Sequence, residues 1–260
     1  KPDIVIVLGD RFEILGAAEA AMIARIPIAH IHGGEVTVGA MDDSMRHAVT
    51  KFASLHFVAA EEYRTRVIQL GEEHERVFTV GAPGLDSIKK LDFMSRAELK
   101  MDLRLPSDCL YFLVTYHPET LGDRDPSDEA REMLAALDQF PKICVVLTGV
   151  NADPGHSEIA RVSANYAENH KQRVFLFQSL GQLRYLSAMK YAAAVIGNSS
   201  SGIIEAPAIG VPTINIGTRQ SGRLRASSII DCIGNSEAIV SAIEQALNPS
   251  FRKGMKNMTV

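Results

Sequence analysis

Residues 193–205 read AAVIGNSSSGIIE. An apolar run that stops at Gly197, passes through a Ser-rich turn and resumes with apolar residues predicts a buried strand feeding the start of a helix. Free backbone N–H groups of the first helical turn and the hydroxyls of Ser199, Ser200 and Ser201 then converge where the helix dipole is positive, which suits a phosphate. Glu205, three residues after Gly202, is placed to accept hydrogen bonds from a sugar diol beside that phosphate. A plain capped helix with a Ser-rich start reads the same residues without a ligand. The Gly-x-Ser-x-Gly elbow of serine hydrolases is excluded, because position 201 is Ser.

Outward from this segment, short apolar runs alternate with longer amphipathic ones, the pattern of a parallel sheet covered by helices on both faces. Strands are predicted at Ile4–Leu8, Pro27–Ile31, Leu55–Val58, Val77–Val80, Tyr111–Thr115, Ile143–Leu147, Val174–Leu176, Ala193–Ile196 and Thr213–Ile216. Over 44–52, Met45, Ala48, Val49 and Phe52 recur at helical spacing and predict a buried face, with Asp42, Asp43, Arg46 and His47 on the opposite, exposed one. A charged stretch after Gly81-Ala82-Pro83-Gly84 marks the passage between two α/β domains, expected at 1–88 and 89–260. The first has only four strand signals and opens directly on an apolar run after Lys1, so earlier strands are expected to precede it.

The 260 residues carry 27 Lys and Arg against 31 Asp and Glu, a formal charge of −4, with 46% hydrophobic and 22% charged residues. That composition excludes disordered, collagen-like and coiled-coil chains and supplies a packed core. The near-neutral balance argues against a broad grip on nucleic acid and leaves room for a local cationic pocket that takes a small anion. No run approaches the roughly 18 apolar residues of a membrane span. Cys109, Cys144 and Cys232 are odd in number, far apart and set in apolar context. They read as free thiols in a reducing cytoplasm rather than a disulfide or zinc framework.

Further polar groups follow predicted strands. After Thr213–Ile216 comes Gly217-Thr218-Arg219-Gln220-Ser221-Gly222-Arg223-Leu224-Arg225, a loop with three arginines at the carboxyl edge where open α/β sheets bind ligands. Arg219 beside Ser199 and Ser200 would clamp a pyrophosphate bidentately. Asp10 and Arg11 end the first strand; His30, His32 and Glu35 end the second. Asp42 and Arg46 stand four apart, where an ion pair would fix the carboxylate. His117 follows Tyr111–Thr115 with Pro118 stopping the strand, and Asn151 and Asp153 follow Ile143–Leu147 in the same way. His56, His74 and His170 read as ordinary helix or turn residues.

With these motifs in place, the chain resembles the hydrolysing UDP-N-acetylglucosamine 2-epimerases of sialic-acid-type sugar biosynthesis. The resemblance rests on GDRFE (9–13), HIHGGEVT (30–37), DDSMRHAVTK (42–51), His117-Pro118, GNSSSGIIE (197–205) and GTRQSGR (217–223). It implies a glycosyltransferase-B-like fold of two Rossmann-like, doubly wound domains with the active site in the cleft between them, the N-terminal one incomplete in this chain. It also implies UDP on the second domain, with Ser199 and Ser200 at the phosphates, Glu205 at the ribose, Arg219 and His117 toward the diphosphate, the Leu180 backbone toward uracil, and Asn151, Asp153 and Asn198 also among the UDP-binding residues. The sugar would face Asp10, Arg11, His32, Glu35, Asp42 and Arg46. The implied reaction removes the C2 proton as UDP departs, gives a 2-acetamidoglucal, and adds water with inversion at C2, releasing N-acetylmannosamine. Asp10 and Asp42 are expected to share the acid/base work. No cofactor, metal, nucleic acid or membrane is implied, and a cytoplasmic homodimer or homotetramer is expected.

Two departures stand out. His32 occupies a position where many relatives carry Glu, so either the imidazole takes over acid/base work or the pocket serves another sugar. UDP-N,N′-diacetylbacillosamine, on the way to legionaminic acid, is the alternative. The opening strands and closing helix of the family are expected to lie outside the chain. Two readings of other classes use less of the sequence: a metal-dependent hydrolase built on His30, His32, Asp42 and Asp43, and a non-catalytic nucleotide-sugar-binding module.

Overall fold

A computed structural model of the chain describes residues 1–38, 40–119, 125–149 and 155–255. The chain divides into two compact units, one of Lys1–Ser87 with Ser221–Arg223, the other of Ile88–Gln220 with Leu224–Val260. Among the described residues no helix is long and apolar enough to cross a membrane.

In the first unit β1 (Val5–Leu8), β2 (Ile28–Ile31), β3 (Leu55–Val58) and β4 (Val77–Thr79) form a parallel sheet in chain order. The helices α1 (Phe12–Ile23), α2 (Asp42–Phe52) and α3 (Glu61–Gln69) make the connections, and α4 (Pro83–Lys90) leads out. Val7, Ala18, Ala21, Ile28, Val49 and Ala53 form its main apolar core. His56 lies on β3 and not in a helix or turn; it is paired in register with His30 of β2 and buried. Burial lowers the His56 pKa, against the opposing pull of Glu72, whose Oε2 lies 3.2 Å from Nε2.

The second unit holds α5 (Arg96–Asp102), β5 (Tyr111–Thr115), α6 (Pro126–Asp138), β6 (Cys144–Thr148), α7 (His156–Asn169), β7 (Val174–Phe177), α8 (Gly181–Tyr191), β8 (Ala194–Gly197), α9 (Ser201–Ile209), β9 (Thr213–Ile216), β10 (Ile229–Cys232), α10 (Ser236–Leu247) and α11 (Pro249–Met255). Its six parallel strands run β10-β9-β8-β5-β6-β7. In order of appearance that is the 3-2-1-4-5-6 sheet of the dinucleotide-binding fold, whose order reverses between β5 and β8. Alternate residues feed two cores: Phe112 and Val114 join Met133, Leu137 and Ile243 on one face, and Tyr111 and Leu113 join Leu99, Met189 and Val211 on the other. Burial of both faces explains why these strands read as unbroken apolar runs. The strand β10 falls outside the nine predicted. At the sheet edge it pairs with β9 and leaves Asp231 exposed, so its four residues lack the continuous apolar signature.

At the end of β8 the chain makes its tightest approach. Gly197 has φ +134°, and a Cβ there would stand 1.9 Å from the Thr115 carbonyl oxygen of β5. Only glycine admits both the dihedral and the contact. It lets Asn198 N donate to Thr115 O at 3.3 Å, so the polar turn begins on top of the neighbouring strand.

In the first unit His30 is fully buried, with Nε2 2.9 Å from Gly9 O and Nδ1 3.2 Å from Thr50 Oγ1. It fastens the end of β1 to α2. Burial pushes its pKa from the ordinary 6.5 down to about 4, the Gly9 contact opposing that fall only in part. An unfolded chain therefore takes up a proton below pH 6.5 that the folded one refuses. Stability should be intact above that pH and fall as pH drops toward 4, by up to about 3 kcal/mol from this group. Urea unfolding at pH 7 and pH 4.5 checks this: His30→Gln should flatten the acid-side loss by about one proton's worth, and an unchanged slope would contradict it.

Candidate functional site

In the second unit the candidate groups gather where the strand order reverses. Asn198, directly after β8, is fully buried. Its Oδ1 accepts from His117 N at 2.7 Å, and its Nδ2 donates to His117 O at 2.8 Å. Both ends of the amide are thus spent on the backbone that follows β5. Its own carbonyl accepts from Arg219 Nη1 at 3.2 Å and from Gln220 Nε2 at 2.7 Å. One residue therefore ties together the ends of β5, β8 and β9. Asn198 was expected among the UDP-binding residues; its side chain is spent on the His117 backbone and builds the floor on which the other groups stand.

Sequence reasoning assigned no role to Glu119, which holds the Arg219 loop. Its Oε1 accepts from Thr218 N at 2.7 Å and Arg219 N at 3.0 Å, and its Oε2 from Thr218 Oγ1 at 2.8 Å. Gly217 lies against the same carboxylate, where a Cβ would approach Oε1 to 2.3 Å. The available signal was a carboxylate beside His117 at a strand's carboxyl end. Among the loop arginines, Arg219 donates to Asn198 O at the Ser-rich turn, Arg225 Nε pairs with Asp231 at 3.1 Å, and Arg223 belongs to the other unit.

His117 and Arg219 are buried, and Ser199, Ser200 and Glu205 half-buried. Ser200 stands at the N-cap position of α9 without a side-chain cap hydrogen bond, and Ser201 N donates to Ser199 Oγ at 3.4 Å. The arrangement combines a helix start, hydroxyls and one guanidinium, the donor set that an anion needs. Leu180 caps α8 with its side chain in the apolar core, so only its backbone is offered to a ligand. Asn151 and Asp153 lie outside the described residues.

The first unit has a different chemistry. Arg46 is 1% exposed, and Asp42 is also buried, which corrects the exposed face predicted for them. Helical spacing alone set them opposite the core, but the end of β1 and the loop after β2 fold over that face. Arg46 donates to Asp10 Oδ2, to Thr37 Oγ1 at 2.9 Å and to Glu35 O at 2.9 Å, with Asp43 Oδ1 at 3.7 Å. The guanidinium thus pairs with the Asp10 carboxylate at the end of β1. Arg11, at the start of α1, lies 3.6 Å from Glu13 and over the Phe12 ring.

His32 takes φ +66°, a strained left-handed setting for a residue with a Cβ. Its Nδ1 stands 2.6 Å from Glu35 Oε1, and Glu35 Oε2 is 2.9 Å from Arg223 Nη1. Burial of Glu35 works to raise its pKa, yet the hydrogen bond from His32 and the charge of Arg223 outweigh it and hold the carboxyl below its usual value. An ionised carboxylate can only accept, so His32 donates from Nδ1 and presents Nε2. His30, by contrast, is committed to Gly9 and Thr50. No group of three or more His, Cys, Asp or Glu side chains is gathered to hold a metal among the described residues.

Comparison with known proteins gives the family. The family model for UDP-N-acetylglucosamine 2-epimerase matches residues 1–260. The chain is 44% identical over 231 residues to a hydrolysing GDP/UDP-N,N′-diacetylbacillosamine 2-epimerase of Campylobacter jejuni, covering 89% of this chain and 60% of that protein. It is 35% identical to a UDP-N-acetylglucosamine 2-epimerase of Neisseria meningitidis, covering 95% and 64%. The chain thus spans about three fifths of the length of these curated relatives. Among solved structures, a UDP-GlcNAc 2-epimerase from Neisseria meningitidis bound to UDP-GlcNAc superposes with a TM-score of 0.81 at 18% identity, covering 99% of this chain and 72% of that one. At that identity the likeness speaks for the fold, the α/β architecture of Rossmann-like units of the glycosyltransferase-B type.

The central role of Asn198 is open to test by truncation. Asn198→Ala leaves the buried His117 N–H and C=O without their partners and should destabilise the protein by about 3 kcal/mol. Urea unfolding measures it, and native-like stability in that variant would show that the clamp is dispensable.

Proposed function

The chain belongs to the UDP-N-acetylglucosamine 2-epimerase family, and on that premise we propose that it is a hydrolysing 2-epimerase, converting UDP-N-acetylglucosamine and water to N-acetylmannosamine and UDP. The observation that carries the reading is the pairing of two sites of opposite chemistry in one chain: an anion-receiving turn at 198–201 with Arg219, and a proton-handling group at His32 with Asp10 and Glu35. The family match over all 260 residues and the relatives' names support it. In this reading UDP rests on the second unit, with Ser199 and Ser200 at the phosphates, Glu205 at the ribose, Arg219 and His117 at the diphosphate and the Leu180 backbone at uracil. The sugar is handled by Asp10, Arg11, His32, Glu35, Asp42 and Arg46.

The first step removes the C2 proton while the C1–O bond breaks, its electron pair leaving with UDP, to give the 2-acetamidoglucal. Arg219 and the start of α9 stabilise the departing diphosphate. We assign the first proton to His32 Nε2. Glu35 fixes its tautomer, whereas the Asp10 carboxylate is already engaged by the buried Arg46 guanidinium. Water then adds across the double bond, its hydroxyl oxygen bonding C1 and a solvent-derived proton bonding C2 on the face opposite His32, while His32 Nε2 returns its proton to solvent; Asp10 and Asp42 orient the sugar and the water. The protein acts in the cytoplasm as a homodimer or homotetramer, which suits three free thiols.

A second reading keeps the mechanism and changes the sugar. The Campylobacter jejuni relative at 44% identity bears the name of a diacetylbacillosamine epimerase, which favours a UDP sugar with a 4-acetamido group and a 6-methyl. Incubation with UDP-N-acetylglucosamine and, separately, with UDP-N,N′-diacetylbacillosamine in D2O tests both. Free sugar carrying deuterium at C2, with UDP released, is expected from the true substrate; free sugar that keeps its C2 proton, or an epimerised sugar still attached to UDP, would refute the mechanism. His32→Asn should slow product release about 100-fold or more while leaving UDP affinity unchanged. Full activity in that variant would remove His32 from the proton transfer.

A further inference from the structure

Beneath the Ser-rich turn, hydroxyl groups from four elements of the second unit are strung together. Thr148 Oγ1 at the end of β6 lies 2.7 Å from Thr115 Oγ1 at the end of β5. Thr115 Oγ1 is 3.3 Å from the hydroxyl of Tyr185 on α8, and that hydroxyl is 2.6 Å from Ser201 Oγ, the first residue of α9. Ser201 Oγ in turn donates to Ser199 Oγ at 3.1 Å.

Each hydroxyl has one proton to give. Since Ser201 gives its proton to Ser199, the contact between Tyr185 and Ser201 must have Tyr185 as donor. Burial raises the Tyr185 pKa, despite its hydrogen bonds to Ser201 and Thr115, so the phenol keeps that proton. Ser199 Oγ then receives both Ser201 Oγ–H and Ser201 N–H. With its lone pairs so occupied, its own proton is the function left over for a further acceptor. A serine held in this state is a donor only, the polarity an anionic oxygen requires and a hydrogen-bond donor on a ligand would not match.

We propose that Tyr185 is a positioning residue that fixes Ser199 as a hydrogen-bond donor to the phosphate of the bound nucleotide. The proposal rests on the reading of the Ser-rich turn as the diphosphate site. Without the phenol, Ser201 Oγ is free to rotate and to compete with Ser199 for the same partners, so the turn loses its single polarity.

Equilibrium binding of UDP and of uridine to the protein, its Tyr185→Phe and Ser201→Ala variants and the double variant tests the relay. UDP affinity should fall roughly five- to tenfold in Tyr185→Phe, with uridine affinity unchanged, because uridine has no phosphate. Adding Tyr185→Phe to Ser201→Ala should cost about twofold at most, since both act through one chain of hydroxyls. Native UDP affinity in Tyr185→Phe, equal losses for UDP and uridine, or fully multiplying losses in the double variant would each overturn the relay. A native protein that binds no UDP would instead overturn the nucleotide reading beneath it.

Discussion

The two hydrogen bonds between the Asn198 side chain and the His117 backbone hold the site of the second unit in place. They cross the one point where the order of the sheet reverses, between β5 and β8. An open parallel sheet leaves a gap in its loops there, because successive connections go to opposite sides. A gap lined by backbone polar groups needs partners for them, and an amide side chain can serve a donor and an acceptor at once. With His117 fastened, Glu119 falls where its carboxylate receives Thr218 and Arg219, and Asn198 O receives the Arg219 guanidinium. The position of the cation is thus set by one residue on either side, not by the length or flexibility of its own side chain.

The first unit solves the complementary problem with a buried charge. Taking a guanidinium out of water is costly, and the two terminal nitrogens of Arg46 offset that cost by donating to a carboxylate, a hydroxyl and a carbonyl. Those three partners lie at the end of β1 and in the loop after β2, so the charge draws two sheet ends onto α2. His30 makes the same join through neutral contacts. His32, strained and tied to Glu35, is the side chain in this loop whose geometry is least explained by packing; strain of that kind collects where a group must be aimed.

Much of this was legible in the sequence because parallel strands buried on both faces read as apolar runs with polar ends. The runs at Tyr111–Thr115 and Ala193–Ile196 located β5 and β8, and the polar residues after them located the candidate site. What the sequence hid depends on partners far along the chain. Glu119 meets Thr218 and Arg219 from 99 and 100 residues away, and no local spacing signals that. Arg46 obeyed the helical period, yet the period says only which face is opposite the core, not whether a loop folds over it. The strand β10 escaped because an edge strand with an exposed Asp231 has neither alternation nor a continuous apolar run.

The central claim is that the nucleotide sits where the strand order reverses, on the turn after β8 and the loops after β5 and β9. Amide hydrogen exchange of the protein with and without UDP locates it directly. The account predicts added protection at 115–119, 197–203 and 217–220, the segments joined through Asn198 and Glu119. Protection confined to other segments, with these three unchanged by saturating UDP, would contradict it.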